Sequence, residues 1–336
     1  MNPFAFIDFP KLSTDRLILR QITYKDIDVL YDIYKREDVM IYFGIFPVKR
    51  KDQIENMIRQ YEISFHQKNS IRWGLFLKET EELIGSCGFH NWNKGFSRAE
   101  IGYELHPNYW NKGLMSEALR EILRFGYYEM ALNRIEALVY PENKNSNNLL
   151  EKLGFKNEGM LKEYAYFRNK YQDLNIYSLL RKDFFKEDNV ILLEKDDNRK
   201  LKYVVIQAAT KDGWIFAKHK NRDTLEIPGG HIEAFETANE AAERELNEET
   251  GAIGFDLFSI CDYGVNRNGN ITYGRLYYAE VSKLEELKHE IEEIYIKKMY
   301  PKDTTYPTIQ PLLYREVLMR SWIRINDWRG MKIRWK

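Results

Sequence analysis

The chain has 336 residues, 44% hydrophobic and 14% aromatic, which is long for one compact domain, comfortable for two, and apolar enough to bury a core. Its 51 basic and 51 acidic residues cancel, so overall charge gives no pull toward nucleic acid or an anionic membrane. The two cysteines, Cys87 and Cys261, lack metal-ligand or redox spacing, the N-terminus lacks a signal peptide, and no apolar run approaches the ~20 residues of a membrane span, so the expected location is cytoplasmic.

The first predicted element is a strand over 16–20, and Thr23 with Asp26 then forms a capping-box-like start for a helix carrying Ile27, Leu30, Tyr31 and Tyr34. A second helix is expected near 53–65, followed by strands over 73–77, 83–90 and 99–105. A Gly-containing turn leads into a helix over 116–130, a strand over 134–140, an Asn-rich turn and a short helix ending at Gly154. Charges cluster at Lys182-Asp183 and from Glu194 to Lys200, which marks a boundary and divides the chain into domains over 1–185 and 190–336. After it come strands over 202–208 and 214–218, one strong helix, and a hairpin of 261–265 with 271–279. The whole is a mixed α/β (α+β) chain.

In the first half, His106-Pro107-Asn108-Tyr109-Trp110-Asn111-Lys112-Gly113-Leu114-Met115-Ser116 follows a strand and opens a helix. Such a turn aims free backbone N–H groups and the positive helix end outward, an arrangement suited to a pyrophosphate; by itself it could also be an ordinary loop. Thr14-Asp15-Arg16-Leu17-Ile18-Leu19-Arg20, Ile101-Gly102-Tyr103-Glu104-Leu105, Tyr109 to Gly113, Asn143-Lys144-Asn145-Ser146 and Glu151-Lys152-Leu153-Gly154-Phe155 occur in one order. In that order they resemble the Gcn5-related N-acetyltransferases (GNAT), nearest the branch that acetylates ribosomal-protein N-termini. The resemblance covers about residues 10–182. It implies a mixed-sheet fold and acetyl transfer from acetyl-CoA to an amine, either a protein N-terminus or a small molecule. It also implies that Lys112, Gly113, Leu114, Met115 and Ser116 line the CoA pyrophosphate, with Asn143 and Ser146 facing the cofactor. Met115 stands where the family has Gly or Ala, and its side chain must point away from the phosphates. Many relatives carry a tyrosine general acid seven residues after the asparagine, where this chain has Leu150. Ser146 is the substitute acid and Glu104 the candidate base, although Ser146 could simply cap its helix and Glu104 could simply pair with a neighbouring strand.

In the second half, Thr237 with Glu240 makes a capping box and Gly251 a left-handed stop, which delimits a helix of three to four turns. Glu245, Glu248 and Glu249 at i, i+3 and i+4 share one sector of it. Three carboxylates on one face repel one another and suit a hard cation with oxygen ligands, though a Glu-rich face is more often simply solvated. A turn at Gly229-Gly230 can offer a backbone carbonyl to the same ion, and Arg244 can hold a carboxylate in orientation.

Gly230, Glu236, Arg244, Glu245, Leu246, Glu248, Glu249 and Gly251 match the Nudix box at every spacing; only Ala252 departs, from the usual aliphatic. The resemblance implies an α/β/α sandwich that hydrolyses a pyrophosphate bond of a nucleoside diphosphate-linked or triphosphate substrate with Mg²⁺ or Mn²⁺. Gly229, Glu245, Glu248 and Glu249 would bind metal, Glu245 would act as or orient the general base, and Glu236 and Arg244 would orient. Glu290 and Glu293 are candidates for a further acid, with an exposed helix face as the commoner outcome. Tyr203, Phe216, His219 and Arg222 stand where a base or ribose could be held.

The tail carries Arg320, Arg324, Arg329, Lys332, Arg334 and Lys336 interleaved with Trp322, Trp328 and Trp335. Such a pattern can stack on nucleic acid, but more often packs its apolar side and solvates the rest, so neither nucleic acid nor membrane is an expected partner. The expectation is a bifunctional enzyme acting on an amine acceptor and a nucleotide pyrophosphate. The alternative is a Nudix hydrolase whose first domain is a non-catalytic acyl-CoA-binding or sensing module.

Overall fold

The computed structural model describes residues 1–185, 190–267, 269–287 and 291–320. It resolves into two compact units. One comprises Asp8–Tyr127 and Leu132–Phe184; the other comprises Met1–Ile7, Tyr128–Ala131 and the chain from Phe185 onward. Two short segments expected in the first domain thus belong to the second unit.

The first unit is built on eight strands: β1 (Leu12–Ser13), β2 (Leu17–Gln21), β3 (Ile71–Leu77), β4 (Leu83–Asn93), β5 (Arg98–Leu105), β6 (Arg134–Val139), β7 (Lys156–Phe167) and β8 (Lys170–Leu180). Their order in the sheet is β1-β2-β3-β4-β5-β6-β8-β7. On one face lie α1 (Ile27–Tyr34), α2 (Glu37–Met40) and α3 (Lys51–His66), whose Leu30, Ile33, Tyr34, Ile54 and Ile58 pack with Ile22, Phe76 and Leu83. The Thr23–Asp26 capping box forms as expected, but it opens a single 3₁₀ turn that leads into α1. The helix α4 (Leu114–Tyr128) sets Phe125 edge-on against Trp73, ring centroids 5.1 Å apart. The short α5 (Lys144–Lys152) precedes β7, and α6 (Arg181–Phe185) follows β8.

Only one pair in this sheet is parallel. β5 and β6 pair at Arg98–Arg134, Ala99–Ile135 and Glu100–Glu136 and nowhere beyond. β5 runs on to Leu105 and β6 to Val139, so the two strands part after the third pair and the sheet opens between them.

The second unit has β9 (Val190–Leu193), β10 (Tyr203–Thr210), β11 (Gly213–His219), β12 (Gly229–His231), β13 (Ala252–Arg267), β14 (Asn270–Leu284) and β15 (Ile291–Lys297), with α7 (Ala238–Thr250) and α8 (Gln310–Arg320). The order is β15-β11-β10-β14-β13-β9, and β12 also pairs with β10. Alternation along β10 divides the core. Val204, Ile206 and Ala208 face Ala241, Ala242 and Leu246 of α7. Ala209, with Trp214, Phe216 and Tyr278, joins Leu313, Tyr314, Val317 and Leu318 of α8. Helices therefore cover opposite faces of the sheet, an α/β/α sandwich. Leu246 is fully buried, and truncating such a side chain costs about 2–5 kcal/mol. Phe4, Tyr128 and Ala131 lie in the α8-side cluster, which is why their segments belong to this unit.

Two expectations need correction. Gly229-Gly230 is not a tight turn but part of β12, paired with Val205 and Val204. Glu293 lies on a strand antiparallel to β11, not on a helix, while Glu290 lies outside the described residues. Of the basic tail only the part up to Arg320 is described, and its Leu318 is buried.

Candidate functional site

The first candidate site lies where β5 and β6 part. Asn111 and Gly113 both have positive φ, 59° and 75°, and α4 begins at the next residue, Leu114. Helix amides in a first turn have no intrahelical partner, so a helix that starts at Leu114 can offer its first amides to an anion. Lys112 and Gly113 are exposed and Ser116 half-buried, whereas Leu114 and Met115 are buried. The bulk of Met115 is thereby taken away from the exposed turn. Arg16 fixes the turn from β2: its Nη1 donates to the Lys112 carbonyl at 3.1 Å, and its Nε pairs with Glu117 at 2.7 Å. Thr14 donates to the same carboxylate at 2.5 Å, which gives the Thr14-Asp15-Arg16 motif a physical reason.

Across the opening, Asn143 caps α5 by accepting from the Ser146 amide at 3.2 Å. The cap is thus Asn143, and the Ser146 hydroxyl is left for a different partner: the Tyr103 hydroxyl, 2.6 Å away on β5 beyond the last β5–β6 pair. Burial pushes the Tyr103 phenol up to about 12, opposed by the bond to Ser146. Tyr103 is the residue that motif reading passed over, and its signal was its place in Ile101-Gly102-Tyr103. Leu150 is fully buried.

Glu104 points to the opposite face from Tyr103. It is buried and paired with Arg72, accepts from Ser86, and accepts from Tyr34 at 2.9 Å. Both of its oxygens are engaged by side chains of the protein itself.

The second candidate site is one face of α7. Thr237 accepts from the Glu240 amide at 3.2 Å, and Glu240 accepts from the Thr237 amide at 2.7 Å. Gly251, with φ 71°, closes the helix with its amide on the Asn247 carbonyl at 2.8 Å. Arg244 is a hub. It donates to Glu236 at 2.7 and 3.2 Å, to Glu245 at 2.8 Å, to Glu248 at 3.1 Å and to the His231 carbonyl at 3.0 Å. Burial raises the Glu245 carboxyl, Arg244 opposes that, and the charges of Glu249 and Glu248 raise it further. A Cβ at position 230 would meet the Glu245 carboxylate, which would have to shift to make room for it.

Glu249 is held on both oxygens: one accepts from the Gly229 amide at 2.9 Å, the other lies 3.1 Å from His219 Nε2. The same nitrogen is 3.0 Å from Glu226, which Arg222 binds at 2.8 and 2.9 Å. The bond to Glu249 raises the His219 imidazole, burial opposes it, and the charge of Glu226 adds to the rise. His219 and Arg222 are therefore committed to carboxylates and Phe216 is sealed in the core, which removes three of the four residues considered for holding a base. Tyr203 remains, half-buried, its ring 4.6 Å from that of His231.

Three carboxylates share one helical sector, and burial, with the charges of Glu249 and Glu248, raises Glu245 among them; oxygen donors of this kind are the chemistry that a hard divalent cation takes. As arranged, with Arg244 and His219 on these carboxylates, the described residues contain no group of three or more His, Cys, Asp or Glu side chains gathered closely enough to hold an ion. No helix among the described residues is long and apolar enough to cross a membrane.

Comparison with known proteins finds a family for each half of the chain. The family model "Acetyltransferase (GNAT) domain" matches residues 16–156, and "NUDIX domain" matches residues 187–307. An uncharacterized N-acetyltransferase of Bacillus subtilis, YoaA, is 39% identical over 173 residues, 52% of this chain and 98% of that protein. The [ribosomal protein uS5]-alanine N-acetyltransferase of Escherichia coli is 31% identical over 184 residues, 52% of this chain and 92% of its own length. Among solved structures, a GNAT-family acetyltransferase from Bacillus anthracis is 29% identical, covers 51% of this chain and 98% of its own, and has a TM-score of 0.46. The chain belongs to the GNAT N-acetyltransferases through its first half and carries a NUDIX domain in its second, so that two enzymatic families are joined in one polypeptide.

Proposed function

We propose that the protein is a bifunctional enzyme: an acetyl-CoA-dependent N-acetyltransferase of an amine, and a divalent-metal-dependent hydrolase of a nucleotide pyrophosphate bond. What carries the reading is that each unit holds its own complete arrangement. One has an exposed anion-binding turn beside a parting pair of strands; the other has three acidic side chains on the face of a delimited helix. In the first, the turn at Lys112–Ser116 with Asn143 holds the CoA pyrophosphate. The amine attacks the thioester carbon, the carbon–sulfur bond breaks, and Ser146 hands its proton to the departing sulfur; the proton that the amine nitrogen loses passes to solvent water and restores the Ser146 hydroxyl, leaving the N-acetyl amide and the CoA thiol. Glu104 is better suited to fixing β5 than to taking that proton, because Arg72, Tyr34 and Ser86 already occupy it. The acceptor is a small amine or a protein N-terminus; the related ribosomal-protein acetyltransferase favours testing an N-terminal alanine peptide first.

In the second unit Glu245, Glu248 and Glu249, with a Gly229 backbone oxygen, would hold Mg²⁺ or Mn²⁺, which supplies an activated water for attack on phosphorus. Glu245 accepts or orients the proton of that water, and Glu236 and Arg244 keep the carboxylates in place. The substrates are small molecules, with a protein N-terminus possible as the acetyl acceptor; the location proposed is the cytoplasm, and neither nucleic acid nor membrane is a proposed partner. The test is a paired assay, CoA release over an amine and peptide panel and phosphate release over nucleotides and nucleotide sugars. Loss of the first activity on omitting acetyl-CoA and of the second on chelation is expected; hydrolysis that survives chelation overturns the metal assignment.

A second reading is favoured by one observation, the buried Leu150 where relatives carry an acid. In it the first unit binds acyl-CoA as a sensing module. Calorimetric binding of acetyl-CoA without turnover across the panel would establish that reading, and absence of binding would overturn both.

A further inference from the structure

His219, Glu226 and Arg222 lie upstream of the Nudix box and outside every motif used above. The strand pairing fixes their backbone: Ala217 and Glu226 exchange both amide–carbonyl hydrogen bonds, at 2.9 and 3.0 Å. The Arg222 amide donates to the His219 carbonyl at 3.1 Å, closing the turn between them. The side chains form a line: Arg222 to both oxygens of Glu226, Glu226 to His219 Nε2, and the same Nε2 to Glu249. Since that nitrogen faces two carboxylates at 3.0 and 3.1 Å, it carries the hydrogen and shares it between them. Glu226 and Glu249 are both buried and would repel each other without it.

Glu248 offers a contrast within the same helix. Its side chain is 39% exposed, and Arg244 is its one hydrogen-bond partner among the described residues. Glu249 is oriented on both oxygens before any ion arrives. Outer partners of this kind set the direction of a ligand's remaining lone pairs and so its affinity for metal.

We infer that Arg222, Glu226 and His219 form a positioning line for Glu249, with His219 as its contact residue, and that metal affinity in the second unit depends on it. The inference rests on the metal reading proposed above. None of the three touches the substrate in this role; they act through Glu249.

The test is calorimetric titration of the full chain, metal-free, with Mn²⁺ alone. His219→Ala is expected to weaken Mn²⁺ binding by about 10–100-fold. His219→Gln places an amide N–H near the same carboxylate and is expected to recover most of that loss, and Glu226→Gln to fall between the two. Melting of the metal-free variants separates folding from binding: His219→Gln that melts with the wild type yet binds as weakly as His219→Ala would overturn the inference. So would His219→Ala that binds Mn²⁺ as tightly as the wild type, or tighter. If the wild type itself takes up no Mn²⁺, the metal reading fails before the positioning line is reached, and the two failures are told apart by that first titration.

Discussion

The two sites are built from different materials. On α7 the chemistry sits in side chains that one helix carries at fixed spacing, with Arg244 tying four groups together. In the first unit it sits mostly in backbone: a turn with two positive-φ residues, a helix start, and the point at which β5 and β6 cease to pair. A side-chain site is most vulnerable to the loss of one charged group; a backbone site has no such group to lose and is vulnerable chiefly to a change of shape.

The largest expected effect tests the first half of that statement. Glu248→Gln with Glu249→Gln should lower phosphate release on the order of 10³-fold or more while acetyl transfer is untouched, measured side by side on one preparation. Loss of both activities would break the separation of the two sites. A shape change at the same site comes next. Gly230→Ala places a Cβ against the Glu245 carboxylate and should cut hydrolysis by roughly 10²-fold with transfer unchanged, a displacement of about 1 Å being enough for that loss.

The third prediction concerns a side chain with no place in either site. Glu129 of the second unit is buried, accepting from Asn2, from the Tyr300 amide at 2.7 Å and from Tyr314 at 3.4 Å, and burial pushes its carboxyl up to about 7. Its folded value exceeds the unfolded one near 4.5, so between them the folded state binds the extra proton. Its contribution is fully present below about pH 4.5 and is lost as pH rises through about 7, on the order of 2–3 kcal/mol. Glu129→Gln should flatten that slope in denaturant titrations at pH 5 and pH 8; an unchanged slope would place the effect elsewhere. The smallest effect is expected at Phe235, fully exposed with φ 73° between β12 and α7. Phe235→Gly should relieve the left-handed strain and stabilise by about 1 kcal/mol, read as a higher melting temperature.

The same division explains what could be read from the chain. α7 was legible down to its cap and stop because Thr237, Glu240, Gly251 and three glutamates mark it locally. The turn at 111–116 was legible as a helix start, but the opening beside it was not, because strand pairing is a property of distant residues. The β7–β8 hairpin escaped notice since β7 is exposed almost along its length and shows no apolar alternation. The Glu-rich run at β15 suggested a helix because pairing with β11, not periodicity, makes it a strand. His219 and Arg222 looked like substrate contacts because nothing local records that Glu249 and Glu226 meet them.

Ala241 and Ala242 on α7 are fully buried against the sheet, and they set how near the helix lies to β10. That one rod turns its methyl groups to the sheet and carries the three box glutamates on another side. Any enlargement at 241 or 242 would lift the rod and move Glu245 and Glu249 together, out of register with Gly229 and His219. Laboratory evolution for heat resistance, which tends to fill interiors, should therefore find these two positions closed and gather its gains on the α8 side of the sheet, where none of the box glutamates is carried along.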